Sequence, residues 1–222
     1  MTKVYVDSAD VEECAYWFAT GLVVGTTANS TLVRTAGALS LCDLAGQLLA
    51  LDPTELHLQV LPEDPAEAFD QARTLAAQGD KVRVKIPLLT GSGELRTSLI
   101  SRCAQNGIKV NVTACTTPGQ AMAAVGLGVS HVSLLWCRMR DAGINPARAL
   151  KQVTAHRDRS GLSAKTVIGS IRKPADASDA LAAGAQYRRQ FCGRGWPRTR
   201  AACLLNSSAP TLSTSRCERR DG

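Results

Sequence analysis

A lysine stands inside an apolar β-type run, VRVKIP at residues 82–87. Alternate side chains of a strand share a face, which puts Arg83 and Lys85 together and their apolar neighbours opposite. An ammonium group is costly to bury, so desolvation of Lys85 favours the neutral amine. A neutral amine can attack a carbonyl group and form a Schiff base. The alternative is a lysine whose side chain extends past the strand end into solvent.

Polar residues also lie at or just beyond the ends of the other β-type runs. They are Asp7, Thr26, Thr27, Asn29, Gln59, Asn111, Thr113, Arg138, Ser170 and Arg172. Several have alternative roles without catalysis. Asp7 could cap the helix that follows it, and Asn29 could be a residue that merely tolerates a turn conformation. Arg138 and Arg172 could be solvated surface charges, and Thr113 could face a helix.

The elements that must position these residues alternate between two patterns. Short β-branched runs occur at 4–7, 22–26, 55–60, 82–87, 108–113, 131–135 and 166–170. Between them lie Ala- and Leu-rich stretches with helical spacing, and Asp64-Pro65 and Thr117-Pro118 mark helix starts. This βα repetition predicts an α/β fold, a (β/α)8 TIM barrel whose active site lies at the carboxyl ends of its strands.

The repetition stops in its eighth unit. A helix is predicted from Pro174 to Ala183, but the chain that follows AAGA at 182–185 has no strand or helix period. We therefore predict a barrel domain at 1–185, with the eighth strand and the C-terminal helix missing or replaced. Residues 186–222 form a basic, irregular tail. Three hypotheses remain for this tail: an out-of-frame translation product, a basic arm that binds RNA or an acidic surface, and an irregular extension.

Charge and composition restrict the function classes. The 222 residues are 45% hydrophobic and 20% charged, with a net charge of +7. Eight arginines and two acidic residues in 186–222 account for +6 of that charge, so the barrel domain is nearly neutral and a nucleic-acid partner is disfavoured. Neither a run of about 20 apolar residues nor a secretory signal is present, which predicts a cytoplasmic protein without a membrane partner.

The sequence predicts neither a metal nor a cofactor. The eight cysteines form no C-x-x-C pair, so a structural zinc site is not expected. The three histidines, His57, His131 and His156, are predicted to be structural and not to form a cluster.

Five motifs in chain order resemble the small transaldolase and fructose-6-phosphate aldolase family of class I aldolases. They are VYVDSAD at 4–10, GTTANST at 25–31, VKIP at 84–87, NVTA at 111–114 and GSIRKP at 169–174. The resemblance extends from residue 3 to about residue 185. It implies a TIM barrel in which Lys85 is the Schiff-base nucleophile.

The resemblance also implies roles for the other site residues. Asp7 would accept the proton of the hydroxyl group beside the bond that breaks, and Thr113 with Gln59 would hold the catalytic water. Asn29 and Thr27 would bind sugar hydroxyls. Arg138, Ser170 and Arg172 would hold the phosphate of a sugar-phosphate substrate.

The implied reaction transfers a dihydroxyacetone unit between sugar phosphates, as in the pentose phosphate pathway, and the family suggests a homo-oligomer. Three departures keep alternatives open. Ala28 and Ser30 differ from the family's loop, and Leu135 replaces its aromatic residue. Gln59 is typical of the aldolases, whereas an apolar residue at 135 is closer to the transaldolases. The alternatives are a fructose-6-phosphate aldolase, an inactive phosphosugar-binding barrel, and a specialised transaldolase of antibiotic biosynthesis.

Overall fold

A computed structural model describes residues 3–38, 40–185 and 187–190, the last four by their backbone. Eight parallel strands in these residues pair in chain order and close into a barrel. The strands are β1 Lys3–Asp7, β2 Gly25–Ala28, β3 Glu55–Gln59, β4 Val82–Pro87, β5 Val110–Cys115, β6 His131–Leu135, β7 Lys165–Gly169 and β8 Tyr187–Gln190. The helices are α1 Val11–Ala19, α2 Ser30–Thr35, α3 Leu41–Leu49, α4 Pro65–Ala76, α5 Thr97–Gln105, α6 Pro118–Val125, α7 Trp136–Asp141, α8 Pro146–Arg159 and α9 Pro174–Ala182.

The predicted helix starts are confirmed, and side-chain caps explain them. The carboxylate of Asp64 accepts hydrogen bonds from the backbone N–H groups of Ala66 and Glu67 at the start of α4, both at 2.9 Å. Thr117 and Gln120 form a reciprocal capping box at the start of α6. These caps satisfy N–H groups that have no partner within the helix.

Strand β2 begins three residues later than the apolar run at 22–26 predicts. Its pairing with β1 starts where Gly25 lies opposite Tyr5, and the side chain of Leu22 is 46% exposed. Pairing with the neighbouring strand therefore sets the start of β2, and the apolar content of the preceding residues does not.

The prediction that the eighth strand is missing is wrong. Residues 187–190 form β8, which pairs with β1 on one side and with β7 on the other. Backbone groups alone form the hydrogen bonds of a β-ladder. A four-residue strand that is paired on both edges can therefore form without a β-branched run. The barrel sheet thus continues past residue 185. The prediction that the C-terminal helix is missing or replaced concerns the remainder of the tail, 191–222, which lies outside the described residues.

The apolar core lies between the strands and the surrounding helices. Val82, Val84 and Ile86 of β4 belong to it, whereas Tyr5 and Val167 form a separate small contact within the barrel. Most other barrel-facing positions are polar and buried, which is unusual because polar groups must find partners when they leave water. The barrel interior is therefore where chemistry is possible. In the described part of the chain, no helix is long and apolar enough to cross a membrane.

We expect Gly25→Ala to destabilise the barrel. A Cβ atom at Gly25 would lie 2.1 Å from the carbonyl oxygen of Glu55 and 3.0 Å from the Tyr5 ring, so the strand would have to shift. The expected loss is at least about 2 kcal/mol in the free energy of unfolding, measured by urea denaturation. The control is Gly46→Ala in α3, where the added methyl meets nothing within 4 Å. It should stabilise by about 1 kcal/mol or less. Equal effects of the two changes would contradict this packing.

Candidate active site

Lys85 lies inside the barrel and is 1% exposed. Its ammonium Nζ donates a hydrogen bond to the backbone carbonyl of Ala28, at 3.2 Å. In the sheet, Lys85 is flanked by Gln59 of β3 and Asn111 of β5, at the same level of the barrel. The alternative of a lysine that reaches solvent past the strand end is therefore wrong. Removal of a lysine amine from water is one way in which proteins activate it as a nucleophile.

Asp7 and Thr27 meet across the first strand pair. Both are buried, they lie opposite each other in the β1–β2 register, and the Thr27 hydroxyl donates to Asp7 Oδ1 at 2.9 Å. Asp7 does not cap the following helix, because Asp10 does so by accepting from the backbone of Glu13 at 3.0 Å. The structure thus leaves the Asp7 carboxylate in the barrel interior with a hydroxyl partner.

Thr113 and Asn29 occupy the barrel rim. Thr113 is buried and lies opposite Pro87, two residues beyond Lys85, where β5 becomes irregular. Asn29 has a role that the turn hypothesis did not include. Its side chain caps α2 by accepting from the backbone of Leu32 at 3.0 Å.

The predicted phosphate-binding residues come from two adjacent segments. The backbone N–H of Cys137, next to Arg138, donates to the carbonyl of Ser170 at 3.3 Å and so joins the end of β7 to α7. Arg138 and Arg172 are both exposed. The Arg172 guanidinium lies 2.7 Å from the carboxylate of Asp141, with both side chains about half exposed. Ser170 has a φ of +58°, a strained value for a residue other than glycine. Such strain is concentrated at functional sites.

The prediction that the histidines form no cluster is wrong for His57 and His131. Their rings are 5.1 Å apart at a steep angle, and the Nε2 atoms lie 3.3 Å and 3.2 Å from Oε2 of Glu55. A signal is present in the alternation of ELHLQ and HVSLL, which puts His57 on the same face as the predicted site residue Gln59, and His131 on the same face as Leu135. The sequence does not show, however, that β3 and β6 bring these side chains together across the barrel.

Glu55 is the centre of this cluster. The Tyr5 hydroxyl donates to Oε2 at 2.6 Å, while Arg83 and Lys165 approach Oε1 at 3.3 Å and 3.4 Å. Burial alone would raise the pKa of Glu55, but the close approach of His131 and the hydrogen bonds from His57 and Tyr5 outweigh it and hold the pKa far below the ordinary value. Glu55 is thus a buried carboxylate that stays ionised.

Burial changes the pKa of the two histidines in the direction opposite to that of Glu55. Desolvation lowers the pKa of His57 to about 3 and also lowers that of His131, although Glu55 opposes both shifts. Both rings are therefore neutral near pH 7. The nearby charge of Lys85 contributes to the lowering at His57, which shows that the cluster and the lysine share one electrostatic environment.

Glu55, His57 and His131 are also ligand types for a transition metal, and their ligand atoms lie within 4.8 Å of one another. The surrounding charge disfavours that use. Arg83 and Lys165 already lie beside the carboxylate, and a divalent cation would add positive charge to a buried group that has cationic partners. We interpret the three side chains as a hydrogen-bonded, charge-compensated layer of the barrel.

The fold is that of a TIM barrel, and the barrel encloses a lysine. The Transaldolase/Fructose-6-phosphate aldolase family model matches residues 4–188, and the chain belongs to this family. It is 30% identical over 184 residues to a "Probable transaldolase" of Dehalococcoides mccartyi, covering 82% of this chain and 83% of the relative. It is 31% identical to a "Probable transaldolase" of Anaeromyxobacter sp., with the same coverage of both chains.

The solved structures support the architecture. A candidate phosphonomutase from Burkholderia cenocepacia J2315 superposes with a TM-score of 0.63 at 13% identity, over 92% of this chain and 91% of that one. At that identity the likeness concerns the fold alone.

The neutral state of His57 predicts a loss of stability in mild acid. The unfolded chain binds a proton on this ring below its ordinary pKa of 6.5, whereas the folded chain does not until about 3. The contribution of the neutral His57 ring to the free energy of unfolding is therefore fully present above pH 6.5 and is lost as the pH falls. The loss amounts to about 2 kcal/mol between about pH 6.5 and about pH 5. Urea unfolding near pH 7 and pH 5 should show a smaller decrease for His57→Gln than for the unmodified protein. Parallel decreases would contradict the assignment.

Proposed function

We propose that the protein transfers a dihydroxyacetone unit between sugar phosphates through a Schiff base on Lys85. The observation that carries the proposal is the enclosure of this amine inside a polar barrel, at the level of Gln59 and Asn111. Burial disfavours the charged ammonium relative to the amine. Membership of the transaldolase/aldolase family supports the same chemistry.

The reaction begins when the Nζ lone pair of Lys85 attacks the C2 ketone of a ketose phosphate. The carbinolamine takes up a proton on its oxygen and loses water, which leaves a cationic imine. Asp7 accepts the proton of the C4 hydroxyl while the C3–C4 bond breaks. The electron pair of that bond moves into the imine to give an enamine, and an aldose phosphate leaves.

The second half runs in reverse with another aldehyde. The enamine carbon attacks the acceptor's carbonyl carbon, and the new alkoxide receives the proton that Asp7 holds. Hydrolysis of the imine then releases the product ketose and the amine of Lys85. In this scheme Thr113 and Gln59 hold the water that moves protons to and from the carbinolamine.

Substrate binding uses the barrel rim. Thr27 and Asn29 are proposed to contact sugar hydroxyls, and Arg138, Ser170 and Arg172 to hold the phosphate. Arg172 has a carboxylate partner in Asp141. Because that ion pair is about half exposed, it stabilises the protein by about 1 kcal/mol or less. A phosphate dianion can therefore compete with Asp141 for the guanidinium.

The fate of the enamine separates a transferase from an aldolase. Leu135 at the end of β6 is buried and apolar, so it offers no hydroxyl to protonate the enamine. This favours transfer to an acceptor aldehyde over release of dihydroxyacetone. A pentose phosphate acceptor would give an eight-carbon ketose phosphate, the product expected of a specialised enzyme of antibiotic biosynthesis.

The test is borohydride trapping with fructose 6-phosphate, followed by peptide mass mapping. The expected result is a three-carbon adduct on the peptide that contains Lys85. Lys85→Met should reduce trapping and turnover by at least about 1,000-fold. Lys81→Met is the matched control, since Lys81 lies just before the same strand and pairs with Asp52 at the surface.

Each outcome separates the candidate functions. An adduct on another lysine, or an unaffected Lys85→Met, would contradict the proposal. A folded protein that binds the sugar phosphate without any adduct would be an inactive binding barrel. Added ribose 5-phosphate should yield an octulose phosphate by mass spectrometry, whereas free dihydroxyacetone as the main product would identify an aldolase.

Asp7→Asn tests the proton transfer. The amide keeps the size of the side chain and can accept from Thr27, but it cannot take the hydroxyl proton. We expect kcat to fall by about 100- to 10,000-fold, while imine formation from dihydroxyacetone, measured by trapping, stays within about threefold. An equal loss in both steps would indicate that Asp7 positions Lys85 and does not accept the proton.

A further inference from the structure

A chain of hydrogen bonds connects the buried Glu55 to the level of Lys85. Ser133 Oγ donates to Asn111 Oδ1 at 2.8 Å, and Asn111 Nδ2 lies 2.9 Å from His57 Nδ1. His57 Nε2 lies 3.3 Å from Glu55 Oε2. The members come from three strands, and all are buried.

The direction of each bond follows from the donor and acceptor types. An amide nitrogen can only donate, so Nδ1 of His57 must accept from Asn111. The neutral ring then carries its proton on Nε2, which donates to the carboxylate of Glu55. A carboxylate that fixes the tautomer of a histidine in this way also fixes the ring's orientation. The neutral charge state agrees with the lowered pKa of His57.

Asn111 is the member of the chain next to the reactive lysine. It lies opposite Lys85 in the β4–β5 register, and facing side chains of paired strands are close neighbours. Ser133 holds one end of its amide group and His57 holds the other. Without an acceptor at His57, the amide could rotate and exchange its oxygen and nitrogen ends.

We propose that His57, oriented by Glu55, is a positioning residue that holds the Asn111 amide in one orientation beside Lys85 during Schiff-base formation. The inference rests on the proposed function, because a fixed Asn111 amide affects catalysis only if an imine forms on Lys85. The role of His57 and Glu55 is to raise the rate of Schiff-base formation. It requires no contact between these two residues and the phosphate of the sugar.

Three substitutions separate this role from a merely structural one. In His57→Gln the amide nitrogen can still donate to Glu55 from near the position of Nε2, but no acceptor remains at the position of Nδ1 for Asn111. In His57→Asn the shorter amide offers its oxygen near the position of Nδ1. His131→Asn is the matched control, because His131 contacts the same carboxylate and is equally buried. On its other side, His131 Nδ1 lies 3.0 Å from Ser130 Oγ.

The readouts are the rate of the borohydride-trapped adduct on Lys85, kcat and KM, and the Tm of each variant. His57→Gln should slow adduct formation by about 10- to 100-fold with KM within about threefold, because misplacement of a group beside the reacting atoms acts on the chemical step. His57→Asn should recover part of the rate. His131→Asn should lower the Tm yet keep the adduct rate within about twofold, since it leaves the Asn111 bond in place.

A double-mutant cycle completes the test. If His57 acts through Asn111, the variant that combines His57→Gln with Asn111→Ala should be no slower than Asn111→Ala alone. Multiplying effects would overturn the inference, as would a His57→Gln that loses only Tm, or a His131→Asn that slows the adduct equally. If the unmodified protein forms no adduct on Lys85, the proposed function itself fails, and the positioning role fails with it.

Discussion

The ionised Glu55 sets the conditions for everything inside this barrel. A buried carboxylate is tolerated only when several donors and cations compensate for the water it has lost. Here a tyrosine hydroxyl, two histidine rings, Arg83 and Lys165 converge on it from β1, β3, β4, β6 and β7. Because its partners come from five strands, the ion pair and hydrogen bonds also hold the strands in register. Removal of one partner from such a group typically costs about 3–5 kcal/mol.

This arrangement divides the molecule by layer. The apolar contacts between sheet and helices supply stability, and the inner face of the sheet is available for polar groups. Within that inner face, the Glu55 cluster lies towards the amino ends of the strands, and Lys85, Asp7 and Thr27 lie towards the carboxyl ends. The second position is where TIM barrels carry out catalysis. His57 and Asn111 connect the two levels, so the charge-compensated layer and Lys85 are not independent.

Much of the fold follows from local signals. Pro65 and Pro118 with their capping neighbours mark helix starts, and the β-branched runs predict β4 and β6 at the observed residues. These signals work because caps and alternation are properties of a few consecutive residues. Strand β8 does not follow from local signals, because it forms where the barrel closes between β7 and β1. That closure depends on the other strands, and no side-chain pattern at 187–190 indicates it.

The site was predicted in the same uneven way. The alternation in VRVKIP correctly places Lys85 on a barrel-facing side, and strand ends correctly bring Asp7 and Thr27 together. Arg172 was predicted as a phosphate ligand, but its ion pair with Asp141 depends on the packing of α7 near the end of β7. The contact of His57 and His131 with Glu55 depends on the diameter and register of the closed barrel. The sequence of a single strand does not predict either property.

The central claim is that Lys85 forms an imine with the C2 ketone of a ketose phosphate, in which the lysine nitrogen replaces the ketone oxygen. The most direct measurement follows the C2 oxygen of fructose 6-phosphate in water enriched in heavy oxygen, by mass spectrometry of the recovered sugar. Schiff-base formation releases that oxygen as water and hydrolysis returns one from the solvent. The account predicts that the enzyme incorporates one heavy oxygen faster than the spontaneous exchange, and that Lys85→Met restores the spontaneous rate. Turnover of the sugar without enzyme-dependent incorporation would contradict it.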